Sequence, residues 1–379
     1  MAKILAITDM DSNGSGYRNI CAPLFSGLTA LGHEIKVAGI MYNGSQQDFT
    51  FSVIPCRDFQ EGQAIVTNLI QLWQPDVIVV ALDLPVQAMY FTQLSGFKIP
   101  YIAITPLENG PLTMSWAAPL FNMDAVFFIS ELGKQEAQKA GVHKAEHLVI
   151  GVDTESWKPA TPEQKVQLRK GLGIPEDAFV VLTVADNQER KNLSAAMEAV
   201  SLLKKEVERP IRYIMVTREQ SPYGWRLRDL AVKFDINQEW LCFERGVPQK
   251  DLWGLYAVSD VYLQSSKAEG LGLPVLDAMA MKIPVVATDT GAMRELLQDG
   301  RGHLVSSAHT IIDVWGNSLR DFINIEEAKN QLKQLMEFNC THVDSALSYV
   351  KSRTWDIPVK MMHEKVEEIV REQKEKPRQ

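Results

Sequence analysis

Short, nearly continuous apolar segments alternate with amphipathic ones along most of the chain. In the first part of the chain the apolar segments predict strands at 3–8, 33–40, 76–82, 100–105 and 125–130. Uninterrupted apolarity is typical of strands buried on both faces, as in a parallel sheet covered by helices. Between the first two strands, residues 22–32 are amphipathic and end in Gly32, which predicts a helix there. This alternation predicts an α/β fold.

The same alternation starts again after residues 147–164, a segment that contains Pro159 and Pro162. Beyond it the pattern predicts a helix at 194–206 and strands at 179–185, 211–217, 240–246, 259–265 and 283–288. Past residue 310 strong strand signals are missing, so only helices are expected, the last of them amphipathic over about 357–375. Two consecutive sheets separated by a proline-containing junction predict two Rossmann-like domains.

Composition and charge narrow the class of protein. Apolar residues make up 46% and charged residues 23% of the 379 residues, which is typical of a globular chain with material for two cores. The net charge of −8 argues against a nucleic-acid partner, which would require a basic face. No segment approaches the roughly 18 continuous apolar residues of a membrane span, and Asp9 ends the first apolar run too early for a signal peptide. Four widely spaced cysteines indicate a reducing compartment, and we expect a cytoplasmic protein.

Residues 265–296 hold the densest group of candidate site residues. Glu269 and Asp277 enclose Gly270 and Gly272, and a probable strand precedes them while a probable helix follows. Backbone N–H groups at the glycines and at the helix start would form an anion site. Two acids close to an anion would repel it, so they are expected to face hydroxyl groups. The segment therefore predicts a phosphorylated ligand with hydroxyls, in which Asp277 holds a ribose and Glu269 a second sugar.

This segment resembles the signature of retaining glycosyltransferases of family 4, the glycogen-synthase-like group 1 glycosyltransferases. Their pattern places one acid before Gly-Phe-Gly-Leu-Pro and a second acid after it, and seven residues separate the two acids here as well. In EGLGLPVLDAMA, Leu271 stands for the Phe and Asp277 for the usual Glu. Downstream, DTGAMREL resembles the phosphate loop of the family, with Gly291 in place and Ala292 where a second Gly is common.

Two further segments resemble the donor side of the same family. In VADNQERKNLSAA, Lys191 aligns with a family lysine and Arg190 is a second cation for the donor diphosphate, whereas Asp186 stands where an Arg is usual. Gly246 and Val247 fall where family members pass backbone along the nucleotide base.

The resemblance also implies the overall architecture. It implies the GT-B fold, in which two Rossmann-like domains face each other across a cleft and a C-terminal helix crosses back to the N-terminal domain. IGVDTESWKP at 150–159 resembles the hinge of the family. We therefore expect an acceptor-side domain over 1–155, joined by the helix at about 357–375, and a domain over 156–356 that binds the nucleotide-sugar.

The first domain offers fewer candidates. DSNGSGY follows the first predicted strand, and the resemblance implies that Gly14 and Gly16 line the cleft near donor phosphate and acceptor, although a plain tight turn is the alternative. TPLENGPLTMSW lacks the histidine common at this place and resembles a branch with an acid before Gly-Pro, which makes Glu108 a candidate contact for the acceptor.

The resemblance implies a reaction. A sugar would move, with retention of configuration, from a nucleotide-diphosphate sugar to an acceptor hydroxyl, with neither a metal nor another cofactor. Lys191, Arg190 and the N–H groups of 270–272 would meet the charge of the departing diphosphate, and Glu269 would orient the donor sugar. The acceptor stays open between a sugar, a lipid-linked and a small-molecule hydroxyl, as does the oligomeric state.

Two alternatives remain. One is another enzyme of the same fold, a nucleotide-sugar 2-epimerase or a phosphorylase. The other is a non-catalytic subunit that binds nucleotide-sugar and supports an active partner, which the departures at Asp186 and Asp277 favour.

Overall fold

The computed structural model describes residues 1–45, 48–338 and 342–375. It divides into two compact units. Unit 1 comprises Met1–Gly151, Trp315–Ser318 and the segment from Arg353, and unit 2 comprises Val152–Val314 and Leu319–Ser352.

Unit 1 is built on a parallel sheet of seven strands. Their bounds are β1 Lys3–Asp9, β2 Glu34–Ile40, β3 Ser52–Cys56, β4 Val77–Ala81, β5 Tyr101–Thr105, β6 Ala125–Phe128 and β7 Ala145–His147. Their order across the sheet is β3-β2-β1-β4-β5-β6-β7, and each neighbouring pair is parallel. β4 and β5 are buried at every position, as their uninterrupted apolarity predicts.

Unit 2 repeats the design with six parallel strands. They are β8 Phe179–Val184, β9 Ile211–Val216, β10 Trp240–Phe243, β11 Val261–Gln264, β12 Val285–Thr288 and β13 His303–Val305. Their order is β10-β9-β8-β11-β12-β13. From β8 the chain continues to β9 and β10 on one side, and it then crosses to β11, β12 and β13 on the other side. The carboxyl ends of β8 and β11 therefore form a topological switch point, where open α/β sheets bind ligands. The predicted fold class, two Rossmann-like α/β sheets, is confirmed.

Helices cover both sheets. Their bounds are α1 Gly16–Ala30, α2 Phe59–Trp73, α3 Leu84–Leu94, α4 Met114–Ala117, α5 Glu131–Lys139, α6 Pro162–Gly171, α7 Leu193–Glu206, α8 Leu227–Lys233, α9 Gln249–Ala257, α10 Leu273–Ala280, α11 Met293–Leu297, α12 Ile325–Glu337, α13 Val343–Lys351 and α14 Asp356–Glu375. Within the described residues, none of them combines the length and the apolarity that crossing a bilayer requires. The C-terminal helix α14 belongs to unit 1, where Val359 packs closely against Gly27 of α1.

The first helix starts earlier than the apolar pattern predicts. α1 begins at Gly16 rather than at residue 22, because Ser15 caps it by accepting a hydrogen bond from the Tyr17 N–H at 3.2 Å. Its first turn is polar and carries no apolar periodicity. Pro23 lies inside the helix.

The expectation of helices only beyond residue 310 is wrong. β14 Ser307–Ile312 and β15 Leu319–Ile323 form an antiparallel hairpin. β14 is mostly exposed, so it lacks both the continuous apolarity of the sheet strands and a clean alternation. The sequence does contain one local signal for a hairpin, because a Gly-Asn pair, Gly316 and Asn317, lies between the two strands. In the structure both residues have positive φ angles, of 72° and 52°.

Candidate active site

Glu269 lies in the loop 265–272, which joins β11 to α10. Its side chain is buried, and one carboxylate oxygen, Oε1, accepts hydrogen bonds from Lys191 Nζ at 2.5 Å, Gln264 Nε2 at 2.6 Å and Ser266 Oγ at 2.7 Å. The other oxygen, Oε2, lies 3.5 Å from Arg190 Nη1. The structure therefore brings together the acid and both cations that the sequence singled out, although Lys191 and Glu269 are 78 residues apart.

The ion pairs decide the charge of Glu269. Burial by itself would raise the pKa of this carboxyl, but the attraction of Lys191 and then of Arg190 outweighs burial and lowers the pKa to about 2. Glu269 is therefore ionised at neutral pH. Its carboxylate neutralises the two cations.

The cations are held by a short turn. Glu189–Lys191 form a single 3₁₀ turn after β8, and Asn192, with φ of 52°, separates this turn from α7. Arg190 Nη1 also donates to the Ala268 carbonyl at 2.8 Å. The turn thus contacts the 265–272 loop through both the backbone and the side chains.

The glycine positions shape the start of α10. Gly272 is the residue before the helix and has φ of 89°, a left-handed conformation that suits glycine. In the part of the chain that the structure describes, the backbone N–H groups of Gly270, Leu271 and Gly272 donate to no other protein group. Three such donors at the positive end of a helix form a cradle for an anion. Gly291 lies in the neighbouring loop, where the Ala292 N–H donates to the Glu269 carbonyl at 2.8 Å.

Asp277 lies in the second turn of α10. Burial of the Asp277 carboxyl raises its pKa to about 8, and the nearby Asp153 carboxylate adds to this shift. Asp277 is therefore mostly protonated in the free protein at neutral pH, and in that state it can donate a hydrogen bond as well as accept one. A protonated acid does not repel a bound phosphate.

Replacing Asp277 by asparagine tests this protonation. Because its pKa is raised on folding, the group stabilises the fold fully below its unfolded pKa, near 3.8, and this stabilisation is lost as the pH rises toward 8. We expect the free energy of unfolding of the wild type to fall more between about pH 5 and pH 8 than that of Asp277→Asn, measured by urea denaturation without nucleotide. Parallel pH profiles of the two proteins would contradict the raised pKa.

Asp186 organises two arginines that the sequence analysis missed. Its carboxylate accepts two hydrogen bonds from Arg218, from Nε at 2.8 Å and Nη2 at 2.5 Å, and a third from Arg245 Nη1 at 3.3 Å. Arg218 and Arg245 follow β9 and β10, so both guanidinium groups reach the carboxyl end of β8 from neighbouring strands. An arginine shortly after each of two adjacent strands was the available signal for a basic strand end, although it does not reveal the partner of either arginine. Arg245 directly precedes Gly246 and Val247, and Gly246 has φ of 85°.

The candidates of unit 1 lie at the carboxyl ends of β1 and β5. Gly14 has φ of 103°, and Gly16 is the first residue of α1. Tyr17 donates a hydrogen bond to Asp83 at 2.6 Å. Burial, the Asp83 carboxylate and, more weakly, Glu108 raise the pKa of Tyr17, which places Glu108 near this loop. Gly14, Gly16 and Glu108 therefore lie at the same edge of the sheet, the one formed by the carboxyl ends of its strands. The roles predicted for them remain predictions.

One cluster of possible metal ligands occurs in unit 1, among the described residues. His33, His363 and Glu367 bring ligand atoms within 4.8 Å of one another. However, the Ala2 N–H donates to His33 Nδ1 at 3.2 Å, so in the neutral ring the proton lies on Nε2, which donates to His363 Nδ1 at 2.8 Å. The atom that would face a metal carries this proton, and the pair is arranged as a hydrogen bond rather than as a ligand set. That the reaction needs no metal remains a prediction.

Comparison with known proteins extends the resemblance. Residues 164–335 match the model of the family described as glycosyl transferases group 1. A putative glycosyltransferase, EpsD of Bacillus subtilis, is 32% identical over 151 residues, which cover 40% of this chain and 38% of that protein. O-antigen chain mannosyltransferase B of Escherichia coli is 30% identical over 229 residues, 57% of this chain and 58% of that protein. The chain thus spans less than two thirds of the length of these relatives.

Solved structures match over nearly the whole chain. A glycosyltransferase from Rickettsia africae has a TM-score of 0.75 at 17% identity and covers 97% of this chain and 98% of its own. Anabaena Alr3699/HepE, solved in complex with UDP and glucose, also has a TM-score of 0.75 at 17% identity and covers 97% of this chain and 100% of its own. At this level of identity the likeness establishes the GT-B fold class. The match to the model described as glycosyl transferases group 1, over residues 164–335, lies almost entirely in unit 2.

Proposed function

We propose that this chain transfers a sugar from a nucleotide-diphosphate sugar to an acceptor hydroxyl, with retention of configuration and without a metal. The observation that carries the proposal is the cluster of buried Glu269 with half-buried Lys191 and Arg190, beside the unpartnered N–H groups at the start of α10. Two cations and a helix N-terminus suit a diphosphate, and an acid in the same cluster suits the hydroxyls of the sugar it carries.

The chemistry follows from the charges. As the bond between the sugar and the diphosphate breaks, negative charge develops on the departing oxygen, and Lys191, Arg190 and the N–H groups of 270–272 stabilise it. The attacking hydroxyl approaches from the same face and passes its proton to the departing phosphate, which gives retention. Glu269, ionised and buried, orients the donor sugar. Asp277 holds the ribose, for which its protonated carboxyl offers a donor and an acceptor.

A thermal-shift screen tests donor recognition. UDP, GDP and ADP and their sugars are each added to the purified chain, with EDTA present in one arm. A ligand at about 100 times its dissociation constant stabilises the folded state by roughly 2.7 kcal/mol, which is readily detected. The proposal expects one base to stand out, and expects EDTA to leave its effect unchanged. If no nucleotide or nucleotide-sugar raises the melting temperature, the donor assignment is wrong.

A transfer assay with the purified chain separates the remaining readings. Release of the nucleoside diphosphate that depends on an added acceptor, and an NMR spectrum that gives the product the anomeric configuration of the donor, support a retaining transferase. Binding without release indicates a nucleotide-sugar-binding subunit that serves an active partner. Epimerised nucleotide-sugar without an acceptor indicates a 2-epimerase.

A further inference from the structure

Lys267 is a buried lysine in the 265–272 loop, and the proposed reaction makes no use of it. It lies two residues before Glu269 and is 4% exposed. Its backbone N–H donates to the Arg190 carbonyl at 2.8 Å. Its carbonyl accepts two hydrogen bonds, one from the Asp321 N–H of β15 at 2.8 Å and one from Thr290 Oγ1 at 2.9 Å. One residue therefore joins the 189–191 turn, the 288–292 loop and the hairpin.

The side chain of Lys267 adds a second link to the same turn. Its ammonium forms an ion pair with Glu189, the first residue of the 189–191 turn. It also lies 4.3 Å from the ring centroid of Phe322 on β15, which is a cation–π distance. Burial lowers the pKa of Lys267, and the positive charge of Arg320 adds to this effect. A buried ammonium needs a counterion, and Glu189 supplies it.

We propose that Lys267 is a positioning residue, which holds the 189–191 turn at the distance from Glu269 that lets Arg190 and Lys191 receive the donor diphosphate. This inference rests on the proposed function for its catalytic meaning. Its geometric basis is independent: the backbone of Lys267 fixes Arg190, its side chain fixes Glu189, and Lys191 is the next residue of the same turn.

The ion pair has an electrostatic role as well. Glu189 is an acid directly beside Arg190 and Lys191 in sequence. Lys267 neutralises it through their ion pair. Without Lys267, Glu189 becomes a competitor of the diphosphate for Arg190 and Lys191.

The test compares two buried lysines of unit 2. Lys329 of α12 has a side chain 8% exposed and pairs with Glu206 and Glu326, so Lys329→Met removes a similar ammonium far from the 265–272 loop in sequence. Lys267→Met and Lys329→Met are examined by hydrogen–deuterium exchange without ligand. The nucleoside diphosphate identified by the thermal-shift screen is then titrated calorimetrically into both variants.

Positioning by Lys267 has a specific outcome. In Lys267→Met, amide exchange rises in peptides that cover 187–193 and 266–270, the dissociation constant for the diphosphate rises at least tenfold, and the KM for the donor rises more than kcat falls. Lys329→Met leaves exchange in these peptides and diphosphate affinity as in the wild type. Glu189→Gln changes affinity in the same direction by a smaller factor, and Lys267→Arg restores most of it.

Two results would overturn the proposal. One is wild-type exchange over 187–193 in Lys267→Met. The other is an equal loss of affinity in Lys267→Met and Lys329→Met, which reveals a general effect on stability. The exchange experiment needs no ligand, so a wild type that binds no nucleotide refutes the proposed function while the positioning role of Lys267 is still decided.

Discussion

A Glu269→Gln variant is expected to lose sugar transfer and about 3–5 kcal/mol of unfolding free energy, the usual cost of breaking a buried ion pair. Glutamine keeps the shape of the side chain but removes the charge that neutralises Lys191 and Arg190. The two half-buried cations then lie close together without the negative charge of Glu269. A nucleoside diphosphate restores the missing negative charge, so its binding is expected to be preserved or tightened, and its stabilisation of the variant should exceed that of the wild type. Urea denaturation with and without the nucleotide measures both effects.

Asp260 provides the control for this prediction. Its carboxylate also binds two cations, Lys165 at 2.7 Å and Arg169 at 2.8 Å, but it precedes β11, whereas Glu269 follows it. Asp260→Asn should lower the free energy of unfolding and leave the stabilisation by the nucleotide unchanged. If Glu269→Gln still transfers sugar at the wild-type rate, or gains no more from the nucleotide than Asp260→Asn does, Glu269 is not the acid of the site.

Replacing Lys191 by alanine is expected to reduce turnover by about 10²–10³-fold, the effect of removing one preorganised donor to a developing negative charge. The dissociation constant for the nucleoside diphosphate should rise as well, because a cation of the diphosphate site is lost. Steady-state kinetics and calorimetric titration measure the two quantities. Lys204 lies at the far end of α7 and pairs with Asp235 and Glu239. Lys204→Ala should change neither the turnover nor the dissociation constant for the nucleoside diphosphate.

The Lys191→Ala variant also has a pH signature. In the wild type the depressed pKa of Glu269 stabilises the fold above the unfolded pKa, near 4.5, and this stabilisation is lost as the pH falls toward 2. Without Lys191, burial raises the pKa of Glu269 and the gain at neutral pH shrinks. The stability difference between the two proteins should therefore be largest at neutral pH and shrink progressively as the pH falls from about 4.5 toward 2. A difference that is independent of pH would mean that Lys191 does not set the charge of Glu269.

The parts of the molecule that sequence predicts well are those with a local pattern. Buried parallel strands such as β4 show continuous apolarity, and the 265–272 loop concentrates glycines and an acid in a few residues. Arg190 and Lys191 could be singled out because VADNQERKNLSAA resembles a donor-side segment of the family. The length and composition of the chain add only the number of domains.

The parts that escaped prediction depend on partners distant in sequence. Nothing local reveals that Asp186 receives Arg218 and Arg245, since each guanidinium arrives from a different strand end. The protonation of Asp277 depends on its burial and, in second place, on Asp153, more than a hundred residues earlier. Nothing in the sequence distinguishes Lys267 from a surface lysine. Its burial depends on the β14–β15 hairpin, which the apolar pattern did not predict either.

The conformation of Gly272 limits how this site can be redesigned. A Cβ atom at Gly272 would lie 2.4 Å from Cε of Met293, at the start of α11. A smaller residue at 293 would remove that collision, but the left-handed backbone would still strain any side chain. Mutant libraries that aim at a new donor should therefore keep this codon fixed and diversify its neighbours Leu271 and Leu273, because variants at 272 would mostly report misplacement of two helices rather than altered sugar preference.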